Sequence, residues 1–97
     1  MASLADIRSK KVELEAIGAQ YGVSNIRVFG SVARGDATEK SDVDLLITFD
    51  YENYTGFDLG GFQYQSSEAL DAHVDVVMDH HIHKALKENI LQEARPI

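Results

Sequence analysis

The sequence predicts an α+β fold: a small mixed β-sheet with helices packed against it. Three observations lead there. Apolar residues recur at helical spacing in three separate stretches, short runs rich in β-forming residues lie between those stretches, and glycines or acidic residues mark the boundaries. The resulting order is helix, strand, polar turn with a short helix, strand, helix, strand, helix.

Leu4, Ile7, Leu14, Ile17 and Tyr21 form the first stripe, with charges between them, so residues from about Ser3 to Tyr21 read as one amphipathic helix closed by Gly22. Lys11 falls on that stripe and is expected to contribute its alkyl stem. Ile26 to Phe29 is a short run of β-formers cut off by Gly30, and the polar segment Gly30 to Ser41 follows it. In the next strand Val43, Leu45, Ile47 and Phe49 alternate with Asp44, Leu46, Thr48 and Asp50. That pattern predicts burial on one face throughout and on the other only in its middle. A loop from Tyr51 to Gly56 leads to a helix carrying Leu59, Phe62, Ser66, Ala69 and Leu70 on one face, with Asp58 as its N-cap. Gly60 and Gly61 weaken the start of that helix. Val74 to Met78 reads as a third strand, and Ile82, Leu86, Ile90 and Ala94 as the stripe of a last helix ending before Pro96.

The chain of 97 residues is expected to form a single domain over 1–97, with no room for a second. With 44% apolar and 26% charged residues it has the balance of a globular protein. There is no cysteine, so neither disulfides nor thiolate metal sites can supplement a small core. Charges interrupt the segment Met1 to Ile17, which excludes the apolar core of a signal peptide, and no apolar run is long enough to span a bilayer. A cytoplasmic protein is expected. The formal charge of −7 opposes the phosphate attraction on which nucleic-acid binders rely, so a long nucleic acid is not expected as direct substrate.

The informative segment is GSVARGDATEKSDVD, from Gly30 to Asp44, lying between two strands and ending inside the second. Gly30 lets the backbone approach a ligand closely, and Ser31 offers a hydroxyl and an N–H at the start of a short helix, a natural place for phosphate. Asp42 and Asp44 lie two apart on a strand, so both side chains leave one face with Cα atoms about 6.6 Å apart at ~3.3 Å per residue. Such a pair can hold a hard divalent cation such as Mg²⁺, whose remaining ligands are waters and substrate phosphates. A third acid would permit two ions. Asp75 is the candidate, because Val74, Val76 and Met78 would face the core while it alternates outward; Asp71 and Asp79 are rivals nearer the strand's ends. Arg34 is read either as a phosphate contact or as the partner of an acid such as Asp36.

The pattern G-S, ten residues, D-x-D and a later isolated acid in a strand resembles the DNA polymerase β type nucleotidyltransferase superfamily over nearly the whole chain. The wording GSVARG…SDVDLLI most resembles its minimal nucleotidyltransferase (MNT) members, many of them antitoxins beside a HEPN-domain toxin. The resemblance implies a palm-like fold and AMP transfer from ATP to a protein hydroxyl, in that system a tyrosine of the HEPN partner, within a hetero-oligomer. It further implies that Gly30 and Ser31 bind the triphosphate, that Asp42 and Asp44 hold Mg²⁺, and that Asp75 holds a metal and meets the acceptor hydroxyl as base. Larger members have an additional domain for positioning nucleotide and acceptor. With a single domain expected here, recognition is expected to fall largely to the partner.

Other features carry less. His80, His81 and His83, with His73 upstream, fit no standard zinc spacing and read as surface histidines at a helix start. Tyr51, Tyr54, Phe57, Phe62 and Tyr64 read first as core and loop packing, with base stacking or partner docking as the alternative. No Walker A, G-x-S-x-G or G-x-G-x-x-G pattern occurs. Two other functions compete: a non-catalytic antitoxin that inhibits its partner by forming a stoichiometric complex, and an enzyme whose acceptor is a small molecule.

Overall fold

The N-terminal stripe folds as two helices rather than the single one its periodicity predicts. In the computed structural model, which describes residues 3–56 and 58–97, helix α1 spans Leu4–Ser9 and helix α2 spans Lys11–Tyr21. Ser3 and Asp6 close a reciprocal capping box at the start of α1. The Ser9 hydroxyl donates to the Asp6 carbonyl at 2.5 Å, a local bond of the kind that competes with helix continuation, and the chain turns at Lys10. Ile7 and Leu14 still reach the core and are fully buried. Lys11, now the first residue of α2, is exposed instead of lying along the stripe.

Gly22 ends α2 in the left-handed region, with φ 75°, and its N–H donates to the Gly18 carbonyl. Strand β1 follows at once as Val23–Phe29, longer than the expected Ile26–Phe29. Asn25 has φ 50° and the register with the neighbouring strand shifts between Ser24 and Arg27. That bulge breaks the alternation by which the front of the strand would have been recognised. Helix α3, Gly30–Arg34, is the expected short helix, and β2 is Val43–Phe49. Val43, Leu45, Ile47 and Phe49 are buried on one face of β2 and Leu46 on the other, as the alternation predicts.

Asp58 caps helix α4, Leu59–Leu70, by accepting the Gly61 N–H at 2.9 Å. Phe62, fully buried, meets Tyr21 edge to face with ring centroids 6.1 Å apart. Helix α4 is the crossover to β3, Val74–Met78, which pairs in parallel with β2. A 3₁₀ turn at Asp79–His81 precedes helix α5, Lys84–Glu93, and a two-residue strand β4, Arg95–Pro96, pairs antiparallel with β1. This last strand has no sequence signal beyond Pro96, which is tolerated on an edge. Among the described residues the sheet has the order β3-β2-β1-β4, and β1 and β2 are antiparallel, so it is mixed.

The last helix departs from expectation. No residue of α5 is buried, and Leu86 and Leu91 are 55% and 45% exposed, so the predicted stripe does not sink into the core. Among the described residues no helix is long and apolar enough to cross a membrane.

Candidate functional site

The site forms where β1 ends and β2 begins. Gly30 opens α3 with φ 73°, a left-handed conformation that glycine adopts without strain. A Cβ built on it would overlap a carboxylate oxygen of Asp44. Glycine is therefore what lets the turn and the acid lie in contact. Ser31, half-buried, follows within the first turn of α3, where backbone N–H groups have no intrahelical acceptor. Beyond α3, the Ser41 hydroxyl accepts the Thr38 N–H at 2.9 Å and the Ser41 N–H donates to the Thr38 carbonyl at 3.0 Å. These bonds shape the loop that delivers Asp42.

The sheet register then brings the acids together. Asp44 pairs with Phe29 on one side and with Asp75 on the other. The Val43 N–H donates to the His73 carbonyl at 2.9 Å, which extends the ladder so that Asp42 and His73 lie side by side one step below Asp44 and Asp75. Asp42, His73 and Asp75 each offer a ligand atom, and these atoms all lie within 4.8 Å of one another. His73 Nε2 is 3.5 Å from Asp75 Oδ1. The Asp44 carboxyl is pushed above the usual carboxylate range, first by burial, then by the charges of Asp75 and Asp42; Arg34 opposes the shift and Glu93 adds to it. The two carboxylates of this set, Asp42 and Asp75, are spaced as a hard divalent cation requires, for which opposite ligands at about 2.1 Å from the ion stand ~4.2 Å apart, and the third donor is the His73 imidazole nitrogen.

Arg34 makes its bonds to acids, as the second of its two readings expects. Its Nε donates to Asp36 at 3.2 Å and its Nη1 to Glu93 at 3.0 Å. The rivals of Asp75 lie elsewhere. Asp71 is the left-handed C-cap of α4, and Asp79 accepts from Arg27 at 3.0 Å and from Thr48 at 2.5 Å toward the far end of β2.

The remaining histidines are engaged separately. His81 Nε2 lies 2.6 Å from the Tyr51 hydroxyl, His80 Nε2 lies 3.6 Å from Asp79, and His83 caps α5 by accepting the Ala85 N–H at 3.1 Å. Tyr51 and Tyr54 pack around Phe49, Phe62 is in the core, and Tyr64 is exposed; Phe57 lies outside the described residues. Phe49 is five residues along β2 from Asp44, roughly 16 Å at the strand rise. The aromatic cluster therefore stands at the opposite end of the strand from the acids.

Two residues at the site are not read from the sequence. His73 had a signal, since it lies two before Asp75 and so shares its face of the strand. Glu93 had none, because it accepts the Gly30 N–H from 63 residues away.

With this geometry in view, the comparisons with known proteins are informative. The family model for the nucleotidyltransferase domain matches residues 10–97. A relative from Methanocaldococcus jannaschii, named as a protein adenylyltransferase, is 37% identical over 89 residues, 92% of this chain and 95% of its own length. The protein adenylyltransferase MntA of Thermococcus cleftensis is 34% identical over 74 residues, covering 76% of this chain and 74% of its own. A solved structure described as a minimal nucleotidyltransferase superposes with TM-score 0.81 at 33% identity, covering 99% of this chain and 97% of that one. A toxin–antitoxin crystal structure with AMP-PNP shares the fold, with TM-score 0.70 at 20% identity over 91% of this chain and 69% of that one.

Proposed function

This chain belongs to the nucleotidyltransferase domain family, and from that premise we propose that it is a protein adenylyltransferase that acts as the antitoxin to a HEPN-domain toxin. In this reading the 97 residues work as one minimal domain, ATP is the donor, and a tyrosine hydroxyl of the toxin is the acceptor. The observation that carries it is the placing of Asp44 against the Gly30 turn and opposite Asp75 in the strand register, with ligand atoms of Asp42 and Asp75 within 4.8 Å of each other. Relatives named as protein adenylyltransferases support the reaction class, and the likeness to a toxin–antitoxin complex holding AMP-PNP supports the partner.

Gly30 and Ser31 bind the triphosphate in this mechanism, Gly30 by allowing close approach and Ser31 through its hydroxyl and N–H. Asp42, Asp44 and Asp75 would hold Mg²⁺, two ions in the full site. Bound there, Mg²⁺ supplies charge stabilisation for the attacking oxygen and the departing pyrophosphate. Asp75 takes the proton of the acceptor hydroxyl as its oxygen forms a bond to the α-phosphorus and the bond to pyrophosphate breaks. Arg34, bonded to Asp36 and Glu93, stands beside the turn and offsets the charge of these acids next to the triphosphate.

The test is to co-express the chain with the protein encoded beside it and measure that protein's intact mass. The expected result is a gain of whole AMP units, abolished when Asp42→Asn and Asp44→Asn are combined. A complex that inhibits the partner without ATP or Mg²⁺ and leaves its mass unchanged would identify the non-catalytic binder instead.

A further inference from the structure

Helix α5 has no buried residue, yet it ends at a defined place against the active-site turn. Polar contacts put it there. Arg8 donates to the Pro96 carbonyl from Nε at 3.2 Å and from Nη2 at 2.9 Å, and Arg95–Pro96 pairs with β1. Two residues before this strand, the Glu93 side chain turns inward, 31% exposed. Its Oε1 accepts both the Gly30 N–H at 2.8 Å and an Arg34 Nη1–H at 3.0 Å.

Gly30 and Arg34 are the first and last residues of α3. A single carboxylate oxygen therefore bonds both ends of a five-residue helix that is too short to hold its own orientation by internal bonds. The Gly30 N–H is one of the helix's orphan donors, and a charge-assisted bond to a carboxylate is a strong way to satisfy it. Because Gly30 lies against the Asp44 carboxylate, a tilt of α3 would displace Ser31 and press on Asp44 together.

We propose that Glu93 is the positioning residue of the triphosphate turn, bracing α3 at both ends and so fixing Ser31 and Gly30 relative to Asp44. This rests on the assignment of Gly30–Ser31 as the triphosphate site. Glu93 touches no reacting atom in this role, and Arg34 neutralises its charge beside the incoming phosphates.

The test uses the full chain with Glu93→Ala, Glu93→Gln and Glu93→Asp. A non-hydrolysable ATP analogue with Mg²⁺ is titrated by calorimetry, and transfer to the partner is resolved into KM for ATP and kcat. Glu93→Ala is expected to weaken Kd and raise KM by about tenfold, the scale of losing a hydrogen bond to a charged group, with a smaller change in kcat. Glu93→Gln keeps an acceptor for the Gly30 N–H and is expected to recover most of that loss. Glu93→Asp keeps the charge but shortens the reach, so it should weaken binding at an unchanged melting temperature even where the alanine variant folds poorly. A purely structural role would lower kcat through the active fraction while leaving KM and Kd alone, and that result would overturn the proposal. So would tighter binding by Glu93→Ala or Glu93→Gln, which would mean that the carboxylate competes with the triphosphate. Binding by the unsubstituted chain with no effect of any variant removes the brace alone. Failure of the unsubstituted chain to bind nucleotide removes the triphosphate assignment and the brace with it.

Discussion

Asp44 is ionised at a cost to stability. Burial and the neighbouring charges of Asp75 and Asp42 raise its pKa in the folded chain. For an acid shifted this way, the stabilising contribution is fully present below its unfolded pKa and is lost as pH rises through the higher folded one. Near neutral pH without metal, the ionised carboxylate therefore works against the fold. Asp44→Asn is expected to raise the urea midpoint at pH 7 in EDTA, and the gain should shrink as the pH falls into the acid range where Asp44 itself protonates. A lower midpoint at pH 7 would contradict the electrostatic account. His73, by contrast, is a residue whose place beside Asp42 becomes visible only once the two strands are in register.

At the scale of elements, α4 does the most to hold the sheet in the shape the site requires. It carries the crossover that makes β2 and β3 parallel, and Phe62 pins it against the core. Phe62→Ala is expected to cost ~3–5 kcal/mol, the usual range for a buried aromatic, and to lower the denaturation midpoint accordingly in a chemical melt. A chain of this size has a total stability of only about 5–15 kcal/mol, so this one change would consume a large share of it. Element type was legible because periodicity reflects which face is buried; β2 follows its pattern closely, while in α4 Phe62 and Ser66 are buried but Leu59 is 41% exposed. Element ends were less so. The turn at Lys10 and the bulge at Asn25 depend on local backbone bonds that leave no period, and the short pairing of Arg95–Pro96 depends on β1 being present to accept it.

For the whole molecule, the governing quantity is a formal charge of −7 on 97 residues, with several of the acids gathered at one end of the sheet. If Asp42, Asp44 and Asp75 hold a divalent ion, millimolar Mg²⁺ should raise the melting temperature of the isolated chain, by an amount equivalent to about 2.7 kcal/mol at a hundred times its Kd. Monovalent salt at equal ionic strength should reproduce little of the shift, and the combined Asp42→Asn and Asp44→Asn variant none of it; a shift that survived both substitutions would place the ion elsewhere. The sequence by itself determined the fold class, the strand that presents Asp44 and begins just after Asp42, and the glycine turn before it, because each is encoded by residues close together in the chain. Only the tertiary structure decided that Asp75 stands opposite Asp44, that Glu93 joins Asp36 in holding Arg34, and that α5 leaves its leucines exposed while its last side chain reaches the turn. Those outcomes depend on strand register and on contacts spanning tens of residues, which no local pattern of side chains can specify.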